Sequence, residues 1–150
     1  MRARAADLDR QLLSVVRGNA SCRQLMTIPG VGAVVALSFV IETPEAFPRS
    51  RDVGAWMTPR RYQSGEVDYE GHISRRGDAR LRSLLFEAAM AMLTRVRRES
   101  ELRSWGLALR KRLGFKRAAV ALSRKLAVIM HAMLKTGTDF NPTPPAEARS

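Results

Sequence analysis

Apolar positions along most of the chain recur with a helical period rather than a strand period. Between Ala5 and Val16, Leu8, Leu12 and Val15 fall four and three residues apart and make one stripe on a short helix. A stripe of that kind needs a cover: this domain, a second copy of the chain, or sequence preceding it. Gly18 and Asn19 interrupt the pattern, and Ser21 with Gln24 three residues on predicts a new helix opening on a capping box. The segment IPGVG at 28–32 separates that helix from a strongly apolar run, Ala33 to Ile41. From Phe47 to Ile73 the helical period is lost, and Pro44, Pro48, Pro59, Gly54, Gly65 and Gly71 punctuate the sequence. This stretch predicts an irregular loop, with a short turn capped by Ser50 and one brief strand or hairpin at VDY, 67–69.

Three helices close the chain. Asp78 is the predicted N-cap of the first, with Leu81, Leu84, Leu85, Ala88, Met92 and Val96 on one face. Ser100 and Glu101 open the second, which carries Leu102, Trp105, Leu109 and Leu113 and has Gly114 as its stop. The third runs from about Phe115 to Lys135, with Val120, Leu126, Ile129, Met130 and Leu134 inward and Gly137 ending it. The fold class that follows is mainly α: a compact helical domain over 19–137, a helix end at 1–18 that connects to something else, and a flexible polar tail at 138–150. No internal repeat is present.

Length and composition fit one domain: 150 residues, 45% of them hydrophobic, enough to form a core rather than a disordered basic tail. The single cysteine, Cys22, excludes a disulfide framework and a Cys-rich zinc site and reads as a small core residue. The longest apolar run is far short of the roughly 20 residues a membrane span needs. The first ten residues mix acids with arginines and contain no apolar signal segment. The expectation is a cytoplasmic protein with no membrane partner.

Charge sharpens that expectation. Twenty-six Lys and Arg against 14 Asp and Glu give a net charge of +12, which calls for an acidic partner, nucleic acid first. The excess is greatest over 95–125, where eleven basic residues face only Glu99 and Glu101. Arg112 and Lys116 are candidate DNA contacts within it. The dominance of Arg over Lys suits bidentate phosphate contact, and a GC-rich genome produces the same bias.

The segment LMTIPGVGAVVALSFV resembles a helix-hairpin-helix, which grips the DNA backbone without reading sequence. Glycine leaves no Cβ between backbone and ligand, and the amides of Val31 to Val34 would stand unpaired at the positive end of a helix dipole. Pro29, Gly30, Val31 and Gly32 are therefore candidate DNA-binding residues, the alternative being a tight interhelical turn that needs glycine for geometry alone. A nucleotide-binding glycine loop does not fit, since the preceding strand and the lysine are missing.

Ser64 lies in PRRYQSGEVDYEGHISRRGD, between the pairs Arg60, Arg61 and Arg75, Arg76. A serine becomes a nucleophile when a base takes its proton and cations stabilise the attacked phosphate. Arginines meet the second need, and Glu66, Asp68 and His72 are the candidates for the first; an ordinary turn serine is the competing reading. Tyr62 and Tyr69 are weaker nucleophile candidates. Glu66, Asp68 and Glu70 alternate and could share a metal-binding face, although a solvated acidic edge explains them better. His72 and His131 have no ligand partners at metal spacing, and Met90, Met92, Met130 and Met133 read as core.

Three blocks in order, LMTIPGVGAVVALSFVIE, GAW..TPRRYQSGEVDYEGHISRRGDARLRSLLFEAA and SWGLALRKRLGFKRAAVALSRKLAVIMHAML, resemble the C-terminal transposase domain of the insertion sequence one-hundred-and-ten family, over nearly all of residues 20 to 140. The resemblance implies a bacterial, cytoplasmic, nucleoid-associated recombinase of mobile DNA. It would have an N-terminal RuvC-like domain bearing an acidic tetrad, a coiled-coil connection ending near residue 18, and a structured bridge RNA as guide. It also implies that Ser64 is the nucleophile joined to a DNA phosphate, with Arg60, Arg61, Arg75 and Arg76 neutralising charge beside it. No cofactor is implied for these residues; the divalent metal belongs to the acidic tetrad, outside this sequence. The family commonly reads GAYLGLTPRRYQSG where this chain reads GAWMTPRRYQSG, two residues shorter. The isolated chain is thus expected to bind DNA without strand transfer. Alternatives are a non-catalytic helix-hairpin-helix module, or a regulatory fragment that self-associates or joins a full-length transposase through Leu8, Leu12 and Val15.

Overall fold

The computed structural model describes residues 2–43, 53 and 71–142, with the backbone alone at 2 and 71–78. Its elements there are α1 (Arg2–Arg17), α2 (Ala20–Leu25), α3 (Ala33–Glu42), α4 (Gly71–Thr94), α5 (Glu101–Leu113) and α6 (Phe115–Thr136), with no strand among the described residues. The mainly α class holds. The central loop expected over 47–73 and its VDY strand lie outside the described residues except for Val53, which is buried, and 71–73, which are helical.

Local sequence chemistry sets most of the boundaries. Ser100 is extended and its hydroxyl accepts from the Arg103 amide at 3.1 Å, capping α5. Gly114, at φ 90°, is the single residue between α5 and α6, and Gly137 ends α6 in the left-handed region. Two boundaries differ from expectation. α2 is capped by Asn19, whose side-chain oxygen accepts from the Cys22 amide at 3.0 Å, so Ser21 lies inside the helix. α4 begins at Gly71, so Asp78 is an interior position and not an N-cap. The polar stretch before Leu81 carries no apolar period, and the sequence signal therefore starts late.

The core is layered around α6, which packs on α4, α5 and α2, while α3 packs on α4 and on α2. Leu81, Leu85 and Met92 of α4 and Leu122, Leu126 and Met130 of α6 are fully buried with Phe39, Leu25 and Ile28. Each such side chain contributes roughly 1.5–3 kcal/mol by leaving water. Gly106 lets α5 approach closely: a methyl group there would stand 3.0 Å from Leu93 and 3.1 Å from Leu122.

Several apolar positions of the helical stripes lie at the edge, and this domain covers little of the α1 stripe. Leu8 is 60% exposed and Val15 58%, while α1 anchors itself through Val16 and partly through Leu12. Trp105, Leu113 and Val120 are also substantially exposed. Periodicity identifies the apolar side of a helix but not where the neighbouring helix stops covering it. At the other end, residues 138–142 fold back: the Phe140 amide donates to the Thr27 hydroxyl at 2.9 Å, and the Pro142 carbonyl accepts from the Glu101 amide at 2.9 Å.

Candidate nucleic-acid interface

The 28–32 turn joins α2 to α3 where the sequence places it, but its glycines face different ways. Gly30 has φ 99° and lies against α4, so that a Cβ there would meet the Ala88 carbonyl oxygen at 3.3 Å and Met92 at 3.7 Å. Val31 is buried, and its amide donates to the Ile28 carbonyl at 3.1 Å. The expectation of a free amide at Val31 is therefore corrected: the turn spends that donor internally because burial requires it. Gly32 is exposed, with open space around it, and forms the N-cap of α3 with no side-chain cap. The free amides at this helix start are those of Ala33 onward, since Ala36 is the first to bond back, to Gly32. Pro29 is half-buried.

A second cationic feature sits where α5 meets α6. Arg110, Lys111 and Arg112 occupy the last turn of α5, where the negative end of the dipole favours them. Arg110 is committed to structure: it donates to the Leu93 carbonyl at 3.4 Å and lies 5.1 Å from the Phe115 ring centre. Lys116 and Arg117 are different. They are exposed in the first turn of α6, which has no acidic residue and no side-chain cap. Cations at that end of a helix cost roughly 0.3–1 kcal/mol each, so helix stability does not account for them.

The same two residues line a recess on α6 that adjoins a trough between α4 and α6. The trough, about 540 Å³, has Arg82, Ser83 and Phe86 on the α4 side and Val120 and Arg124 on the α6 side. It shares Val120 and Arg124 with the recess, of about 380 Å³, that Lys116 and Arg117 also line. Glu87 is the one carboxylate among the residues lining either part. A larger hollow, about 680 Å³, lies between α5, α6 and the returning 138–142 segment, with Trp105 in its wall and the Lys125 ammonium 4.6 Å from that ring. Glu101 and Asp139 line it too, which makes it a poor seat for phosphate.

Ser64, Arg60 and Arg61 lie outside the described residues. Arg75 and Arg76 fall in the first two turns of α4, with only their backbone described, inside a helix that the sequence pattern opens only at Asp78. Arg112 and Lys116 are both exposed, separated by Gly114. Sequence reasoning counted Arg82, Arg117 and Arg124 in the charge excess without singling them out. The available signal was spacing, since Arg117, Val120 and Arg124 fall three and four residues apart on one helix face. His131 and Cys22 are buried, and burial pushes the Cys22 thiol above its ordinary range. Among the described residues no three His, Cys, Asp or Glu side chains gather into a metal site, and no helix is long and apolar enough to cross a membrane.

Comparison with known proteins gives this surface its context. Residues 22–104 match the family described as Transposase IS116/IS110/IS902. The transposase for insertion sequence element IS1111A of Coxiella burnetii (strain RSA 493 / Nine Mile phase I) is 38% identical over 133 residues, 85% of this chain and 36% of that protein. A probable family 20 transposase of Pseudomonas aeruginosa is 34% identical over 95% of the chain and 44% of its own length. The transposase for insertion sequence element IS1328 of Yersinia enterocolitica is 31% identical over 90% of the chain and 42% of its own length. The chain thus spans less than half the length of these relatives.

Proposed function

This chain belongs to the Transposase IS116/IS110/IS902 family, and from that premise we propose that it is the DNA-binding, serine-bearing part of a transposase that moves an insertion sequence. The observation that carries the reading is the pairing of this family membership with exposed cations, Arg112, Lys116, Arg117 and Arg124, that the fold does not need. Their role is to neutralise backbone phosphates, which positions DNA without reading its sequence. In this reading Ser64 attacks a DNA phosphorus. Its hydroxyl proton passes to a base, and the 3′ or 5′ oxygen of the broken strand leaves, so the bond energy is kept in a serine–phosphate ester. Arg60, Arg61, Arg75 and Arg76 stabilise the charge that builds on the phosphoryl oxygens.

The exposed amide edge from Gly32 into α3 is a secondary backbone contact in this proposal, while Gly30 and Val31 shape the turn and do not touch DNA. A divalent metal and its acidic ligands would be supplied by other parts of a transposase, as would the grip on a bridge RNA. The setting proposed is the bacterial cytoplasm, at the nucleoid when bound. Alone, the chain binds DNA and does not exchange strands.

Two measurements test the reading. Affinity for duplex DNA should fall steeply with salt and vary little with sequence; a salt-insensitive, sequence-selective complex would overturn it. In a complex competent for strand transfer, Ser64→Ala should abolish the covalent protein–DNA adduct and leave affinity nearly unchanged. An adduct that survives removes Ser64 from the role. The uncovered Leu8 and Val15 on α1 favour a second reading, a fragment that associates with a copy of itself or with a full-length transposase.

A further inference from the structure

We propose that the trough between α4 and α6, with the recess on α6 that adjoins it, is the seat of one phosphate strand of double-helical DNA, held by Arg82 and Arg124 in the trough and by Lys116 and Arg117 in the recess. The proposal rests on the DNA-binding reading above and assigns it a place and a nucleic-acid form.

Charge is the first argument. Among the described residues the lining contributes four cations against the one carboxylate of Glu87, on two helices that run beside each other. Arg117 and Arg124 are exposed and Arg82 is half-buried, so the guanidinium groups lie where a large polyanion can reach them. The hydroxyl of Ser83, also exposed, is a further donor on the α4 wall.

Length is the second. The lining residues of α4 run from Ala79 to Met90, which at 1.5 Å per residue is about 16 Å of wall. One strand of a duplex rises about 3.4 Å along the helix axis per phosphate and winds around that axis, so its phosphates stand further apart along the strand and the wall spans roughly two or three of them, enough to engage Arg82 and Arg124, with Lys116 and Arg117 left for the phosphates that follow.

The described lining favours one strand form. Sites for single strands combine cations with exposed rings on which bases stack. Among the described residues the one aromatic side chain in the lining is Phe86, which is half-buried and packed against the core. The exposed ring of Trp105 is in the other hollow, beside Glu101 and Asp139. Cations with no exposed ring beside them among the described residues suit a duplex, whose bases are already stacked and whose backbone faces the protein.

The test uses the 150-residue chain with a fluorescent duplex of about twenty base pairs of arbitrary sequence. Arg117→Ala with Arg124→Ala removes two exposed cations, and Arg4→Ala with Arg10→Ala on α1 removes two elsewhere, giving the same net charge. The trough pair should lose duplex affinity by roughly tenfold or more and reduce the salt slope by about two. The α1 pair should lose less than about threefold with its slope unchanged. Equal losses in the two pairs would overturn the assignment, as would a single strand of the same length binding as tightly as the duplex, or an RNA hairpin displacing DNA at equal concentration. If the unsubstituted chain binds no nucleic acid, the DNA-binding reading falls and the trough falls with it. If it binds and the trough pair binds equally well, only the trough is lost.

Discussion

Gly30 and Ala88 are fifty-eight positions apart in sequence and packed backbone to backbone: a Cβ on the first would stand 3.3 Å from the carbonyl oxygen of the second. Two constraints coincide there, a positive φ of 99° and a neighbour that is main chain and cannot swing away. Gly30→Ala should therefore destabilise the chain by about 1–3 kcal/mol. Gly32 has an extended backbone, φ −94°, and nothing within 4 Å, so Gly32→Ala should change stability by no more than about 1 kcal/mol. Urea unfolding of both variants checks the contrast, and equal effects would contradict the packing described.

Lys116 sets function against stability. It lies in the first turn of α6 with no acidic neighbour in that turn. Lys116→Glu should stabilise the fold by about 0.3–1 kcal/mol through the helix dipole while weakening duplex binding and lowering its salt slope. Thermal unfolding and anisotropy on the same samples would show the two moving in opposite directions. A loss of both stability and affinity would count against the dipole argument.

Cys22 predicts an alkaline dependence. Burial raises its folded pKa above that of the unfolded thiol, so the neutral form is favoured in the fold. The resulting stability is fully present below the ordinary thiol pKa and is lost as pH rises through the raised folded value. The native chain should resist alkylation at neutral pH. Between neutral pH and the upper thiol range, the stability difference between the chain and Cys22→Ala should shrink. A constant difference would show that the thiol does not titrate with unfolding.

Leu8 and Val15 touch little of this fold. Replacing both by Gln should shift stability by less than about 0.5 kcal/mol per site. If the α1 stripe meets another copy, sedimentation should show a dimer in the original chain and a monomer in the double variant. A monomer in both leaves the self-association reading without support.

How far the sequence could be read depended on the range of the interaction. Ser100, Gly114 and Gly137 mark helix ends because capping and left-handed geometry are settled within a few residues, and all three stand where expected. Asp78 does not cap α4 because the ten residues of α4 before Leu81 are helical without an apolar rhythm. The period places Val120 inward and puts Trp105 and Leu113 on the apolar stripe of α5, yet each is at the rim of its helix contact, which only the partner's position decides. The site divides in the same way. The position of the glycine turn was legible, but its orientation was not, because Gly30 answers to Ala88. The trough was hidden for the same reason, since Arg82 and Arg124 meet only when α4 and α6 do, and Ser64 lies outside the described residues.

The short return of the chain after Gly137 bears on how such a gene can be shortened. Its hydrogen bonds clasp an early residue, Thr27, and a middle one, Glu101, across α2 and α5. A premature stop codon at position 138 would delete no idle appendage: it would unfasten both ends of that clasp, strip the cover from Phe140's neighbours and open the wall beside Trp105 to water. Frames trimmed there should yield protein that cells degrade, whereas frames ending just past Pro142 should keep the clasp.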